Sequence, residues 1–118
     1  MKDFPDFMKS PANRIDSGSQ YTDDIEGYVF DGADGSQMAF WTCRADRTSK
    51  EHAHDYDEYL VVIQGRFTVI IGGRSVPLEA GSEFVIPRGV PHGGEGVVGT
   101  RTIHFFGGRR AARSVDRS

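Results

Sequence analysis

Residues 58–73 read EYLVVIQGRFTVIIGG. Glu58 to Gln64 is rich in β-branched side chains, which lose rotamer freedom in a helix and pack well on a pleated sheet. Arg66 to Ile71 is a second run of the same kind, close behind the first, and Gly72-Gly73 after it is a tight hairpin signal. With side chains alternating along a strand, an inward Glu58 takes Leu60, Val62 and Gln64 inward with it, while Tyr59, Val61 and Ile63 face the other way.

The same reading extends outward from this hairpin. Ile25 to Phe30 is a short strand, Asp31-Gly32 and Asp34-Gly35 are turns, and Met38 to Cys43 is an apolar strand. Glu83 to Ile86 and Arg101 to Phe106 complete the set. No segment carries a helical stripe longer than one or two turns. Short strands at close spacing point to an all-β sandwich or barrel.

The chain has 118 residues, enough for one domain, with 37% hydrophobic and 26% charged residues, a balance suited to a folded globular protein. Its net charge of -3 and a pI near 5.7 give no electrostatic case for nucleic acid as a partner. The longest apolar run, Tyr59 to Ile63, is too short to span a bilayer, so no membrane partner is expected. The first residues lack an apolar segment, so no signal peptide is expected, and a single Cys permits no internal disulfide. A cytoplasmic location follows as the default.

Three segments are expected. Residues 1–24, rich in Asp, Ser, Pro and Asn, read as an extended N-terminal arm with one helical turn near Asp6 to Lys9; Phe4, Phe7, Met8 and Ile15 imply that part of it packs on something. Residues 25–108 form the β domain, and residues 109–118 a basic C-terminal tail. Residues 1–34 hold eight acids against three bases, and residues 101–118 five Arg against one Asp. The two ends can attract each other or a second subunit, or stay solvated.

Four histidines occur: His52, His54, His92 and His104. On a strand, His52 and His54 project side by side, with both imidazoles able to meet one ion. Glu58 follows at the same parity, beyond a turn at Asp55-Tyr56-Asp57. Imidazole with carboxylate suits a first-row transition metal.

The wider pattern is specific. His52-x-His54-x3-Glu58-x6-Gly65 is followed by Gly81-x5-Pro87-x-Gly89-x2-His92. Over residues 52–92 this resembles the two-motif signature of the cupin superfamily, in its small single-domain form. Asp46 stands where a glycine usually precedes the first motif, and Gly96 where an Asn often ends the second. Neither is a metal-ligand position. The resemblance implies a double-stranded β-helix, or jelly roll, with a metal inside the barrel held by His52, His54, Glu58 and His92. Pro87 and Gly89 would shape the turn that delivers His92. It also implies a homodimer, and exposed strand edges supply a physical motive for one.

Three imidazoles and one carboxylate leave a six-coordinate divalent ion two open positions, which favour a bidentate oxygen donor. Mn, Fe, Ni, Co, Cu and Zn all fit the ligand type, although four-coordinate Zn would be saturated. Such an ion can polarise a carbonyl, with Glu58 as ligand or as catalytic general base. The expected pocket residues are Phe40, Tyr56, Gln64, Arg101 and His104, with Arg101 offering its planar fork to a substrate carboxylate. Which face of the Met38–Cys43 strand lines the barrel is open at this point. The expected partner is a small molecule: a sugar, keto-acid or keto-enol, transformed by isomerase, lyase or dioxygenase chemistry. The alternatives are a metal-dependent binding or sensing module without turnover, and a metal that only stabilises the fold.

Overall fold

The computed structural model describes residues 3–16 and 25–113. Among these residues the strands are β1 (Ile25–Asp31), β2 (Gln37–Cys43), β3 (Arg47–His52), β4 (Glu58–Gln64), β5 (Arg66–Ile71), β6 (Arg74–Glu79), β7 (Glu83–Ile86), β8 (His92–Gly96) and β9 (Arg101–Phe106). They form two antiparallel sheets, one ordered β1-β2-β9-β4-β7 and the other β3-β8-β5-β6. This is the all-β jelly roll expected from the sequence.

β3, β6 and β8 are strands that the pattern of apolar residues did not announce. β6 carries Pro77, which the edge position of β6 tolerates. β8 reads HGGEG, yet it runs between β3 and β5. Its glycines are there because neighbouring side chains occupy the space their own would need. A Cβ on Gly94 would lie 2.3 Å from the Phe67 ring, and one on Gly96 would lie 2.8 Å from Cys43 Sγ.

The alternation on β4 holds for Leu60 and Val62, which are fully buried and pack with Val69, Leu78 and Ile86. Burying each such side chain stabilises by roughly 1.5–3 kcal/mol. It fails at Gln64, because the β4–β9 register shifts between Val62 and Gln64. A bulge adds a residue to one strand and turns the next side chain to the opposite face.

The described part of the arm packs against the barrel. Asp6–Met8 forms a short 3-10 turn, closed by the Lys9 N–H donating to Asp6 O at 2.9 Å, and Pro11–Asn13 forms a second. Phe4 is buried, with its ring centroid 4.8 Å from that of Phe40, and Ile15 is buried beside Val29 and Trp41. Phe7 departs from the expectation of packing: it is 84% exposed. The charged ends meet within one chain. Ile15 pairs with Arg113, whose guanidinium reaches Asp31 at 2.7 Å and Asn13 Oδ1 at 3.1 Å. Arg44 ties Asp3, at 2.9 Å, to Glu26. Such exposed pairs contribute little, so the apolar anchors hold the arm. Among the described residues no helix is long and apolar enough to cross a membrane.

Candidate metal centre

His52 and His92 are direct antiparallel partners across β3 and β8. Paired residues on one face of a sheet have Cβ atoms about 5 Å apart, and here the ring centroids lie 4.5 Å apart. His52 owes its inward aim to a register shift between Ser49 and His52. Ser49 already lines the cavity, so unbroken alternation would have turned His52 outward. β3 ends at His52, so His54 lies beyond the strand, not on it as expected from simple alternation. Its place is set by its carbonyl, which accepts the Gly89 N–H at 2.7 Å, with Gly89 at φ +78 in the turn before His92. That bond ties the two motifs together.

The outcome is a cluster of His52, His54 and His92 whose ligand atoms lie within 4.8 Å of one another. Glu58, buried at the start of β4, points Oε1 at His54 Nε2 (3.4 Å) and His92 Nε2 (3.5 Å). Its other oxygen, Oε2, faces Nδ1 of His104 at 2.7 Å. His104 Nε2 reaches Thr102 Oγ1 at 3.1 Å. All four histidines thus converge on one region, including His104, which no spacing connected to the other three.

The donor set fits a first-row divalent metal. Nδ1–H of His52 donates to the Lys50 carbonyl (2.7 Å), and Nδ1–H of His92 to the Val90 carbonyl (3.0 Å). A backbone carbonyl accepts only, so in the neutral rings it leaves Nε2 with a free lone pair, as a metal requires. His54 Nε2 is buried without a hydrogen-bond partner, and its Nδ1 meets the Tyr56 hydroxyl at 3.2 Å. The nearest partner of that Nε2 is Glu58 Oε1 at 3.4 Å, so the nitrogen is under-satisfied, which is costly when buried unless something else satisfies it.

The electrostatics agree. Burial pushes the His52 pKa down to about 4, helped by the nearby charges of His92 and Arg110. Burial raises the Glu58 carboxyl, but the imidazoles of His104, His54 and His92 more than offset it and hold it well below the usual carboxylate range. His92 moves up: burial lowers it, and the Glu58 carboxylate and Val90 carbonyl outweigh that. Burial raises the Cys43 thiol, so it stays neutral at pH 7.

These groups open on a cavity of about 90 Å³. Its walls include Trp41 and Cys43, so that face of β2 looks inward. Phe40, expected in the pocket, is on the opposite face, buried against Phe4 and Tyr28. Arg101 is also on that outer face. Its guanidinium sits 4.8 Å from the Phe4 ring centroid and donates to Gln64 Oε1 at 3.0 Å, so neither Arg101 nor Gln64 reaches the cavity. Tyr56 stacks on His54 at 4.8 Å and backs the cluster. His104 lines the cavity directly. The arginines that do line it are Arg47 and Arg110, which sequence reasoning missed. Nothing local marks either one: Arg47 belongs to a polar strand, and Arg110 belongs to a stretch read as a tail. Gln37 Oε1 holds that stretch in place by accepting the N–H groups of Arg110 (2.7 Å) and Ala111 (2.8 Å).

The model of the cupin domain matches residues 39–105, more than half of the chain, and the chain belongs to that family. An uncharacterized protein, y4oW of Sinorhizobium fredii, is 46% identical over 41 residues. Those residues are 35% of this chain and only 19% of that protein. Among solved structures, KdgF from Halomonas sp. is similar with a TM-score of 0.67 and 22% identity, covering 81% of this chain and 93% of that one. The polyketide cyclase RemF from Streptomyces resistomycificus is similar with a TM-score of 0.70 and 18% identity, over 90% and 78% of the two chains. An RmlC-like cupin from Shewanella frigidimarina gives 0.68 and 22%, over 89% and 88%. At these identities the structural likeness is one of fold.

Proposed function

We propose that this cupin holds one divalent transition metal through His52, His54, Glu58 and His92, and that it is an enzyme acting on a small oxygen-chelating compound. Sugars, keto-acids and keto-enols are the substrate classes, with isomerase, lyase or dioxygenase chemistry. One observation carries the reading: three imidazoles converge beside the Glu58 carboxylate, two with Nδ1 tied to backbone carbonyls and the third with a buried Nε2 that makes no close hydrogen bond. When bound, such an ion supplies Lewis acidity and open positions for a bidentate oxygen donor. The chain's own residues orient the ligands, and Trp41, Phe67 and Phe106 give the cavity apolar walls. That RemF, a protein of the same fold, is a polyketide cyclase supports an enzymatic use of the fold.

Elemental analysis of protein purified without chelator, beside a His52→Ala control, tests this reading. We expect one equivalent of metal in the wild type and its loss in the control; no metal after reconstitution would overturn it. Turnover compared with and without oxygen then separates dioxygenase from isomerase or lyase chemistry.

A second reading, ligand binding without turnover, draws on Glu58. Both carboxylate oxygens face imidazoles, and a carboxyl held so far below its ordinary pKa is a weak base. Recovery of ligand unchanged after long incubation would favour it.

We also infer a homodimer. Val85, Tyr59, Phe105, Met38 and Phe30 lie in register across the outer face of the five-stranded sheet. Val85 is 59%, Phe105 46% and Phe30 37% exposed. An apolar row of this kind supports pairing with a second copy. Light scattering at micromolar concentration should give twice the chain mass; a single-chain mass would refute it. The one cysteine, Cys43, is a free buried thiol, which supports a cytoplasmic location.

A further inference from the structure

The second ring nitrogens of the three clustered histidines are held in two different ways. Nδ1 of His52 and Nδ1 of His92 face backbone carbonyls, those of Lys50 and Val90. A carbonyl only accepts, so it fixes the tautomer of its imidazole by itself. His54 lies past the end of β3, and its Nδ1 faces a side chain instead, the Tyr56 hydroxyl at 3.2 Å. The two rings also stack, with 4.8 Å between centroids and 8° between planes. A face contact sets the plane of an imidazole, and a hydrogen bond sets its rotation within that plane.

Tyr56 is in turn held by residues from the far end of the chain. A Cβ on Gly108 would lie 2.5 Å from Tyr56 Cδ2, so the phenol ring occupies the space that a side chain there would need. Phe106 meets the same ring at 6.2 Å, 77° from parallel. The Gly107 N–H donates to the Asp57 carbonyl at 2.9 Å, and Asp57 Oδ1 accepts the Arg88 N–H at 2.9 Å. The short segment between His54 and β4 is thus pinned on two sides.

We infer that Tyr56 is the positioning residue for His54: its ring sets the imidazole plane and its hydroxyl accepts the Nδ1–H, which leaves the Nε2 lone pair facing the centre. The use of that lone pair rests on the metal reading above. Gly108 bears on the centre through the Tyr56 ring, for which it leaves room.

Zinc binding in competition with a chelator, and NMR of the imidazole nitrogens with and without zinc, test this on the full chain. Tyr56→Phe keeps the ring and removes the hydroxyl, Tyr56→Leu removes both, and Gly108→Ala displaces the ring. Circular dichroism checks that each variant folds. We expect zinc affinity to fall about tenfold in Tyr56→Phe, further in Tyr56→Leu, and severalfold in Gly108→Ala. In the metal-free protein, Tyr56→Phe should move the Nδ1 resonance of His54 and leave those of His52 and His92 in place, which a loss of packing alone would not do. Wild-type affinity in Tyr56→Phe, or a His54 resonance that it does not move, would overturn the inference. Equal shifts at all three histidines would also overturn it and reduce Tyr56 to a packing residue. Wild-type affinity in Gly108→Ala would overturn the link to the stretch after β9. A wild-type chain that loads no zinc, while His54 alone responds to Tyr56→Phe, would remove the metal reading and leave Tyr56 as the residue that orients His54.

Discussion

Nδ1 of His104 lies 2.7 Å from Oε2 of Glu58, a diagonal contact between neighbouring strands β9 and β4. The pair is buried, and Thr102 Oγ1 holds the other ring nitrogen. His104 therefore fixes the carboxylate so that Oε1 alone faces His54 and His92. Replacing His104 with Phe removes that restraint. Residues that orient metal ligands are typically worth 10–100-fold in affinity, so metal binding should weaken by about that factor, as read by competition with a chelator. Urea unfolding of the metal-free protein should show a loss of about 1–3 kcal/mol, because a buried carboxylate loses its partner. Unchanged affinity would reduce His104 to a packing residue.

Acid should weaken the metal-free fold, and the sign follows from His52. Its pKa falls from 6.5 to about 4 on folding. The unfolded chain then binds more protons between those values, so stability is complete above pH 6.5 and declines as pH falls toward 4. Glu58, held below its ordinary value, continues the loss at lower pH. His92 is raised, so its contribution is full below 6.5 and is lost as pH rises from there through its folded value, above the acid range in which His52 acts. Thermal melts from pH 7.5 to 4 should show the decline, and His52→Ala should flatten it. A flat wild-type profile would contradict the buried, neutral imidazole.

Gly94 tests how the glycine-rich strand makes room. Gly94→Ala places a methyl group against the Phe67 ring and should cost about 1–3 kcal/mol through overpacking. The double variant with Phe67→Leu should recover much of it. No cost in the single variant would mean that the ring moves aside freely.

Phe4 tests the arm. Phe4→Ala removes a ring that packs on Phe40 and lies under the Arg101 guanidinium, and it should cost about 3 kcal/mol in chemical denaturation. A change below a few tenths of a kcal/mol would show that the arm adds nothing to the fold.

The strands with strong side-chain signals were legible: Glu58–Gln64, Arg66–Ile71 and Met38–Cys43 are β-branched or apolar runs that have few other uses. The meeting of His52, His54, Glu58 and His92 was implied by the resemblance to the two cupin motifs, not by alternation along the strands. β3 and β8 were not legible. Their residues are polar or glycine, and their pairing comes from partners distant in the chain, including a Phe67 ring that fills the place of a side chain on Gly94. Two bulges decided the rest, one turning His52 inward and one turning Gln64 away from the cavity. A bulge leaves no mark in alternation, yet it reverses every facing beyond it. The sequence by itself determined the strands with β-branched or apolar runs and which residues share a motif. Only the tertiary structure decided that His104 holds Glu58, that Arg110 and not Arg101 lines the cavity, and that Phe40 lies outside it, because those facings depend on register between strands remote in sequence.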